Sequence, residues 1–141
     1  MLGMKVPGAA AIAATIATDL WTCIAPAASL EGPAAGKCYQ IADGKVDAQT
    51  FNGFRRYHAG CNDCHGQDGA GSTFAPSPVV MLAGIDAFGR LVKDRRTNGS
   101  SVMKGFGDDP NTAPDIDDIY AYLQARADGA LGPGRPARRE N

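Results

Sequence analysis

"CNDCH", residues Cys61 to His65, holds two of the chain's four cysteines and one of its two histidines. The residues on either side limit what chemistry these five can serve. Upstream, Asp47 is placed to cap a helix through Phe51, Phe54, Tyr57 and His58, whose spacing of three or four builds one apolar face and delivers the chain to Cys61. Downstream, Gly69, Gly71, Pro76 and Pro78 exclude regular structure from Gly66 to Met81, which leaves a long irregular loop of a kind that is usually functional. Asp86 then caps a second helix with Phe88, Leu91, Val92 and Arg95 on one side, closed by Asn98-Gly99. After the loop "SSVMKGFGDDPNTAP", Pro114-Asp115 starts the strongest helix. Ile116, Ile119, Tyr120 and Leu123 fall at i, i+3, i+4 and i+7, Asp118 lies in the first turn, and Asp128-Gly129 is the stop. No strand pattern of any length is visible and there is no internal repeat, so the expected class is all-α.

The composition is that of one folded domain: 141 residues, 44% hydrophobic and 21% charged. Eighteen glycines, nine prolines and only 7% aromatic residues predict short helices, long loops and a thin core that another group must help to fill. A formal net charge of −1 provides no basic field for nucleic acid or anionic lipid.

Residues 1–27 read as a signal peptide, with Lys5 as the positive start, an apolar run from Val6 to Thr18, and Ala25-Pro26-Ala27 as the cleavage site. A membrane span needs about 20 apolar residues, and this run meets Asp19 after thirteen. Cys23 makes a poor lipoprotein acceptor, because Leu20-Trp21-Thr22 precedes it, and it would leave with the leader. Cys38 would then be an odd cysteine in an oxidising compartment, either a small buried hydrophobe or an intermolecular liability. The expected organisation continues with an extended N-terminal arm over 28–46, the folded domain over 47–129, and a disordered Gly-, Pro- and Arg-rich tail over 130–141.

Three chemistries use cysteines at this spacing. A thioredoxin-like redox pair wants a strand-to-helix junction in a βαβ pattern, whereas this pair follows a helix in a chain without strands. A zinc site could recruit Cys61, Cys64 and His65 with His58 or Cys38, but structural zinc usually takes two spaced ligand pairs, and there is no second pair. Covalent haem attachment accounts for each position: the thiols add across the two vinyl groups as thioethers, and the imidazole lands under the iron. Haem would also supply the missing apolar bulk.

The far face of the iron then needs a ligand or stays open. His58 is only three residues before Cys61 and cannot reach over the ring. Met81, between "SPVV" and "LAGI", is in a setting where methionine fills gaps. Met103, 38 residues beyond His65 in a glycine-interrupted loop, has the chain length to wrap the ring and is the expected distal ligand.

The stretches "FRRYHAGCNDCHGQDGAG", "FAPSP", "SVMKGFG" and "IDDIYAYLQAR" resemble the successive landmarks of class I cytochromes c over residues 47–128. The resemblance implies three to four short helices wrapped around one covalent haem. It also implies that Gly53 and Tyr57 cross against Tyr120 and Leu123, and that the Pro76 carbonyl accepts a hydrogen bond from the His65 ring. Within that family the chain is most similar to the small cytochromes c associated with methanol metabolism in methylotrophic bacteria. That likeness would make Cys38 one half of an additional disulfide, whose other half is missing from "NTAPDIDD".

The function implied is that of a periplasmic, monomeric one-electron carrier and not an enzyme. It holds one haem c through Cys61, Cys64, His65 and Met103, with Pro76 behind the histidine, and His65 and Met103 as the iron ligands. A periplasmic quinoprotein (methanol or alcohol) dehydrogenase would be the donor, and an oxidase or another cytochrome the acceptor. The alternative is a haem-based binder or sensor of small ligands with an open or displaceable sixth position. Charge is segregated near Met103: Arg90, Lys93, Arg95, Arg96 and Lys104 precede Asp108, Asp109, Asp115, Asp117 and Asp118. Such a pattern can steer a partner or be no more than two solvated helix faces.

Overall fold

The structure, a computed structural model, describes residues 36–140. The leader and Cys23 lie outside the described residues. Four helices carry the fold: α1 (Ala48–Gly60), the single turn α2 (Asn62–His65), α3 (Ile85–Lys93) and α4 (Ile116–Ala127).

The core is the crossing of α1 and α4. A Cβ added at Gly53 would overlap the Asp118 carbonyl and come within 3.0 Å of Tyr122 Cβ. A residue without a side chain is therefore required where the two backbones meet. Tyr57 and Phe54 stack around Tyr122 at centroid distances of 5.7 and 5.6 Å. Tyr57, Ile119, Tyr122 and Leu123 are fully buried, each contributing roughly 1.5–3 kcal/mol by removal from water. The expected partner of Gly53 and Tyr57 was Tyr120; the structure puts Tyr122 there instead. At about 100° per residue, positions two apart project to nearly opposite sides of α4, and Tyr120 packs on Phe88 of α3, 5.5 Å away. Polar ties flank the crossing: Asn52 donates to Asp115 and Asp118 at 2.9 and 2.7 Å, and Arg56 pairs with Asp115 at 2.8 Å.

Short strands occur where none were expected. β1 (Ile41–Ala42) and β2 (Lys45–Val46) form an antiparallel hairpin, and β5 (Ala137–Arg138) adds parallel to β2. The turn is Asp43-Gly44, with φ of 51° and 72°, the conformation that a two-residue hairpin needs and that Asp-Gly favours. β3 (Arg96–Asn98) and β4 (Ser101–Met103) form a second hairpin. Asn98-Gly99 therefore opens a hairpin and does not close a helix, since α3 has already ended at Lys93 and Gly99 takes φ 59°. The first residues of two helices also differ from expectation. Gly84, not Asp86, is the N-cap of α3. Asp47 is the N-cap of α1, but its carboxylate accepts from the Gln40 N–H and the Thr50 hydroxyl, not from the helix's own amides.

The arm and the tail are both packed. Cys38 and Tyr39 are buried, and Gln124 of α4 holds the arm by accepting from the Cys38 N–H at 2.7 Å and donating to the Gly36 carbonyl at 3.0 Å. Lys37 and the Tyr39 hydroxyl meet Asp128 at 2.7 and 2.8 Å. Cys38 is disulfide-bonded, where the sequence left it either an odd cysteine or one half of an additional disulfide. The tail expected to be disordered runs back over the sheet. Arg139 N–H donates to the Val46 carbonyl at 2.9 Å, and Arg135 lies over the Phe51 ring at 5.3 Å. Paired backbone and one stacked arginine account for order in a segment whose composition suggests none.

Candidate haem site

α1 ends at Gly60, Cys61 accepts the handover, and α2 carries the rest of the motif as one turn, with the His65 N–H donating to the Cys61 carbonyl at 2.9 Å. Cys61 and Cys64 are free thiols, Cys61 half-buried and Cys64 exposed. Burial first, and the Cys64 thiol second, push the Cys61 thiol up to about 11. A redox dithiol depends on a lowered attacking thiol, and burial acts on Cys61 in the opposite direction.

Gly66 turns the chain out of the motif at φ 76° and ψ 161°, and a Cβ there would run into the Gly71 carbonyl. The loop beyond is irregular but closely tied. Gly71 N–H donates to the His65 carbonyl at 2.7 Å, and the Tyr57 hydroxyl to the Gly66 carbonyl at 2.7 Å. Ser72 donates to the Cys64 carbonyl, and Ser77 to the Gly69 carbonyl at 2.6 Å. These ties bring the Pro76 carbonyl to 2.8 Å from His65 Nδ1. A carbonyl only accepts, so Nδ1 carries the proton and Nε2 is the ring nitrogen left for a metal.

Met103 stands on a different element, as the last residue of β4 opposite Arg96, half-buried against the core. Behind it the chain is stitched to α3, with Phe106 N–H donating to the Val92 carbonyl at 2.9 Å and Gly107 N–H to the Lys93 carbonyl at 3.2 Å. Met81 is 67% exposed, with no side chain of the described residues packed over it to match the gap-filling role expected. His58 is engaged elsewhere: Nδ1 donates to the Phe54 carbonyl at 2.9 Å and Nε2 lies 3.5 Å from Asp68 Oδ1. Among the described residues no group of three or more His, Cys, Asp or Glu side chains could hold a metal ion. Asp68, Ser72 and Ser77 were missed as site residues. The run "GQDGAGSTFAPSP" offers only short polar side chains among turn formers, the residues that bond to nearby backbone.

Residues 48–123, more than half of the chain, match the family profile described as "Cytochrome C oxidase, cbb3-type, subunit III". The chain belongs to the c-type cytochromes. Cytochrome c-553I of Paracoccus denitrificans is 46% identical over 110 residues, 73% of this chain and 49% of that protein, so the cytochrome spans about half the length of this relative. Cytochrome c-555 of Methylococcus capsulatus is 35% identical over 92 residues, 63% of this chain and 72% of its own. The crystal structure of the c-type cytochrome XoxG from Methylobacterium extorquens AM1 aligns with a TM-score of 0.69 at 42% identity, covering 73% of this chain and 67% of that one.

A cytochrome of this kind carries covalently bound haem c with its iron. The residues present suit that group: two free thiols on one turn, and a histidine whose ring is oriented by a backbone carbonyl and whose second nitrogen is unspent. Among the described residues no helix is long and apolar enough to cross a membrane.

Proposed function

We propose that this cytochrome is a periplasmic one-electron carrier, with a single haem c attached through Cys61 and Cys64 and ligated by His65 and Met103. The observation that carries the reading is the 2.8 Å contact between His65 Nδ1 and the Pro76 carbonyl, directly after the two free thiols. A carbonyl behind the ring fixes the tautomer and raises the basicity of Nε2. Bound haem supplies an iron that takes up and returns one electron. Neutral thioether sulfur opposite imidazole favours Fe(II) and raises the potential, and an apolar surround raises it further because the ferric form carries the extra positive charge.

The donor we infer is a periplasmic quinoprotein methanol or alcohol dehydrogenase, and the acceptor a terminal oxidase or another cytochrome. Likeness to the Methylobacterium and Methylococcus cytochromes supports this pathway. The docking surface is the cationic one. Asp115 and Asp118 are held by Asn52 and Arg56, and Asp109 lies 3.7 Å from Lys104, whereas Arg90, Lys93, Arg95 and Arg96 are exposed along α3, its link to the methionine hairpin and the first residue of that hairpin. Reduction by the donor should therefore slow between about 0.01 and 0.15 M salt, as the screening length falls from ~30 to ~8 Å. Arg95→Gln with Arg96→Gln should lower the second-order rate at unchanged potential.

The deciding experiment is a spectrum with one extraction. Haem must resist acid–acetone, and the ferrous protein must show sharp α and β bands that CO does not shift. In Met103→Ala, CO should bind and the weak red charge-transfer band of sulfur on ferric iron should vanish. Loss of haem to acid–acetone rejects the attachment, CO binding by the unmutated protein selects the ligand-binder reading, and a band that survives in Met103→Ala moves the sulfur to Met81.

A further inference from the structure

Asp68 has no part in the haem reading, yet α4 and the tail both bond to it. It sits three residues beyond His65 in the 3-10 turn Gln67–Gly69, only 9% exposed, at φ 56° and ψ 21°. That left-handed region is uncommon for a residue other than glycine, and Asp and Asn enter it most readily. Donors converge on its two oxygens: the Tyr122 hydroxyl of α4 reaches Oδ1 at 3.0 Å and the Gly134 N–H of the tail reaches Oδ2 at 3.0 Å, while His58 Nε2 of α1 lies 3.5 Å from Oδ1. Its own carbonyl accepts from Arg126 Nε at 3.3 Å. It is the one buried carboxylate among the described residues. Three residues of chain keep its Cα within about 11 Å of that of His65, and the turn between them is pinned by Gly69 N–H to the Gly66 carbonyl at 3.3 Å.

We propose that Asp68 is a positioning residue that tunes the haem: it holds the turn following His65 and, through its buried charge, sets the balance between ferric and ferrous iron. The proposal rests on haem attachment at Cys61, Cys64 and His65. Ferric haem carries one more positive charge than ferrous, so a buried carboxylate nearby favours the ferric state and lowers the potential. Each hydrogen bond donated to that carboxylate spreads its charge and weakens the pull. The oxidised protein is therefore favoured when the donors are lost and disfavoured when the charge is lost.

Two variants separate this from a purely structural role. Asp68→Asn retains an acceptor and tolerates the left-handed conformation but removes the charge, so the midpoint potential should shift upward. Tyr122→Phe keeps the ring and removes one donor, so the potential should shift downward. A residue that only braced the turn would move both variants the same way, because either change would loosen the loop and admit water. Potentials are measured by spectroelectrochemistry at fixed pH on the full-length holoprotein, with thermal midpoints recorded alongside. Opposite shifts sustain the proposal; shifts of one sign, or none in either variant, overturn it. Should Asp68→Asn yield no holoprotein, Asp68→Gly takes its place, since glycine also accepts the left-handed conformation: a raised potential sustains the proposal and an unchanged or lowered one overturns it. Retention of haem by the unmutated protein through acid–acetone distinguishes a failure of Asp68 from a failure of the attachment.

Discussion

The histidine side and the methionine side of this cytochrome are built by different means. His65 sits on a turn fed directly by α1, and the loop behind it is bonded residue by residue to its own backbone and to the α1–α4 crossing. Met103 ends a three-residue strand whose neighbours Arg95, Arg96 and Val102 are exposed, and the anchorage that follows runs through Phe106 and Gly107 to the end of α3. One proposed ligand stands on a turn tied to the crossing, and the other on a hairpin anchored to the end of α3. The exposed cations from Arg90 to Arg96 lie beside the side with fewer ties.

That contrast can be broken most severely at the crossing. Gly53→Val should destabilise the protein by about 3 kcal/mol or more, because its branches meet the Asp118 carbonyl, a backbone atom that cannot step aside. Thermal unfolding checks this, and a loss under about 1 kcal/mol would mean that the histidine side is not braced there. Phe106→Ala removes the buried anchor behind Met103 and should cost about 3–4 kcal/mol in denaturant unfolding. It should also weaken the red charge-transfer band, whereas Tyr57→Phe should lose about 1–2 kcal/mol with the band intact, since only the bond to the Gly66 carbonyl goes. A band lost in both would show that the two sides are not independent. Met81→Ala, at an exposed site, should stay within about 0.5 kcal/mol of the parent with its spectrum unchanged.

The most local effect is that of acid on the arm. Lys37 first, then the Tyr39 hydroxyl, hold the Asp128 carboxyl below its ordinary 3.8. A lowered folded value means that the tie is fully present above 3.8 and is lost as pH falls through the folded value. Hydrogen exchange of residues 36–40 should therefore accelerate below about pH 4, with α1 and α4 still protected. Release of the helices at the same pH would show that arm and core are one unit.

Much of this was legible in sequence because local rules governed it. The helices followed from apolar spacing, and the haem motif from residue types that few other chemistries use together. Gly53 was expected at a close crossing and is there. The two hairpins leave only their turn signals, Asp43-Gly44 and Gly99-Ser100, in the sequence, because strands of two or three residues are too short to show alternation. The capping role expected of Asp86 failed for a related reason: a good cap two residues inside the helix is indistinguishable in sequence from one at its start.

By itself the sequence determined three of the four helices and the two thiols and histidine spaced as a c-type cytochrome needs them, and resemblance to that family gave the glycine at the crossing. Each is a demand that a residue type makes on its immediate neighbours. Only the tertiary structure decided which tyrosine of α4 faces α1, that the glycine- and arginine-rich tail returns to pair with β2, and that Asp68 gathers donors from α4 and the tail. Those outcomes depend on residues 54 to 92 positions apart meeting in space, and a buried carboxylate is tolerated only where such distant donors converge on it.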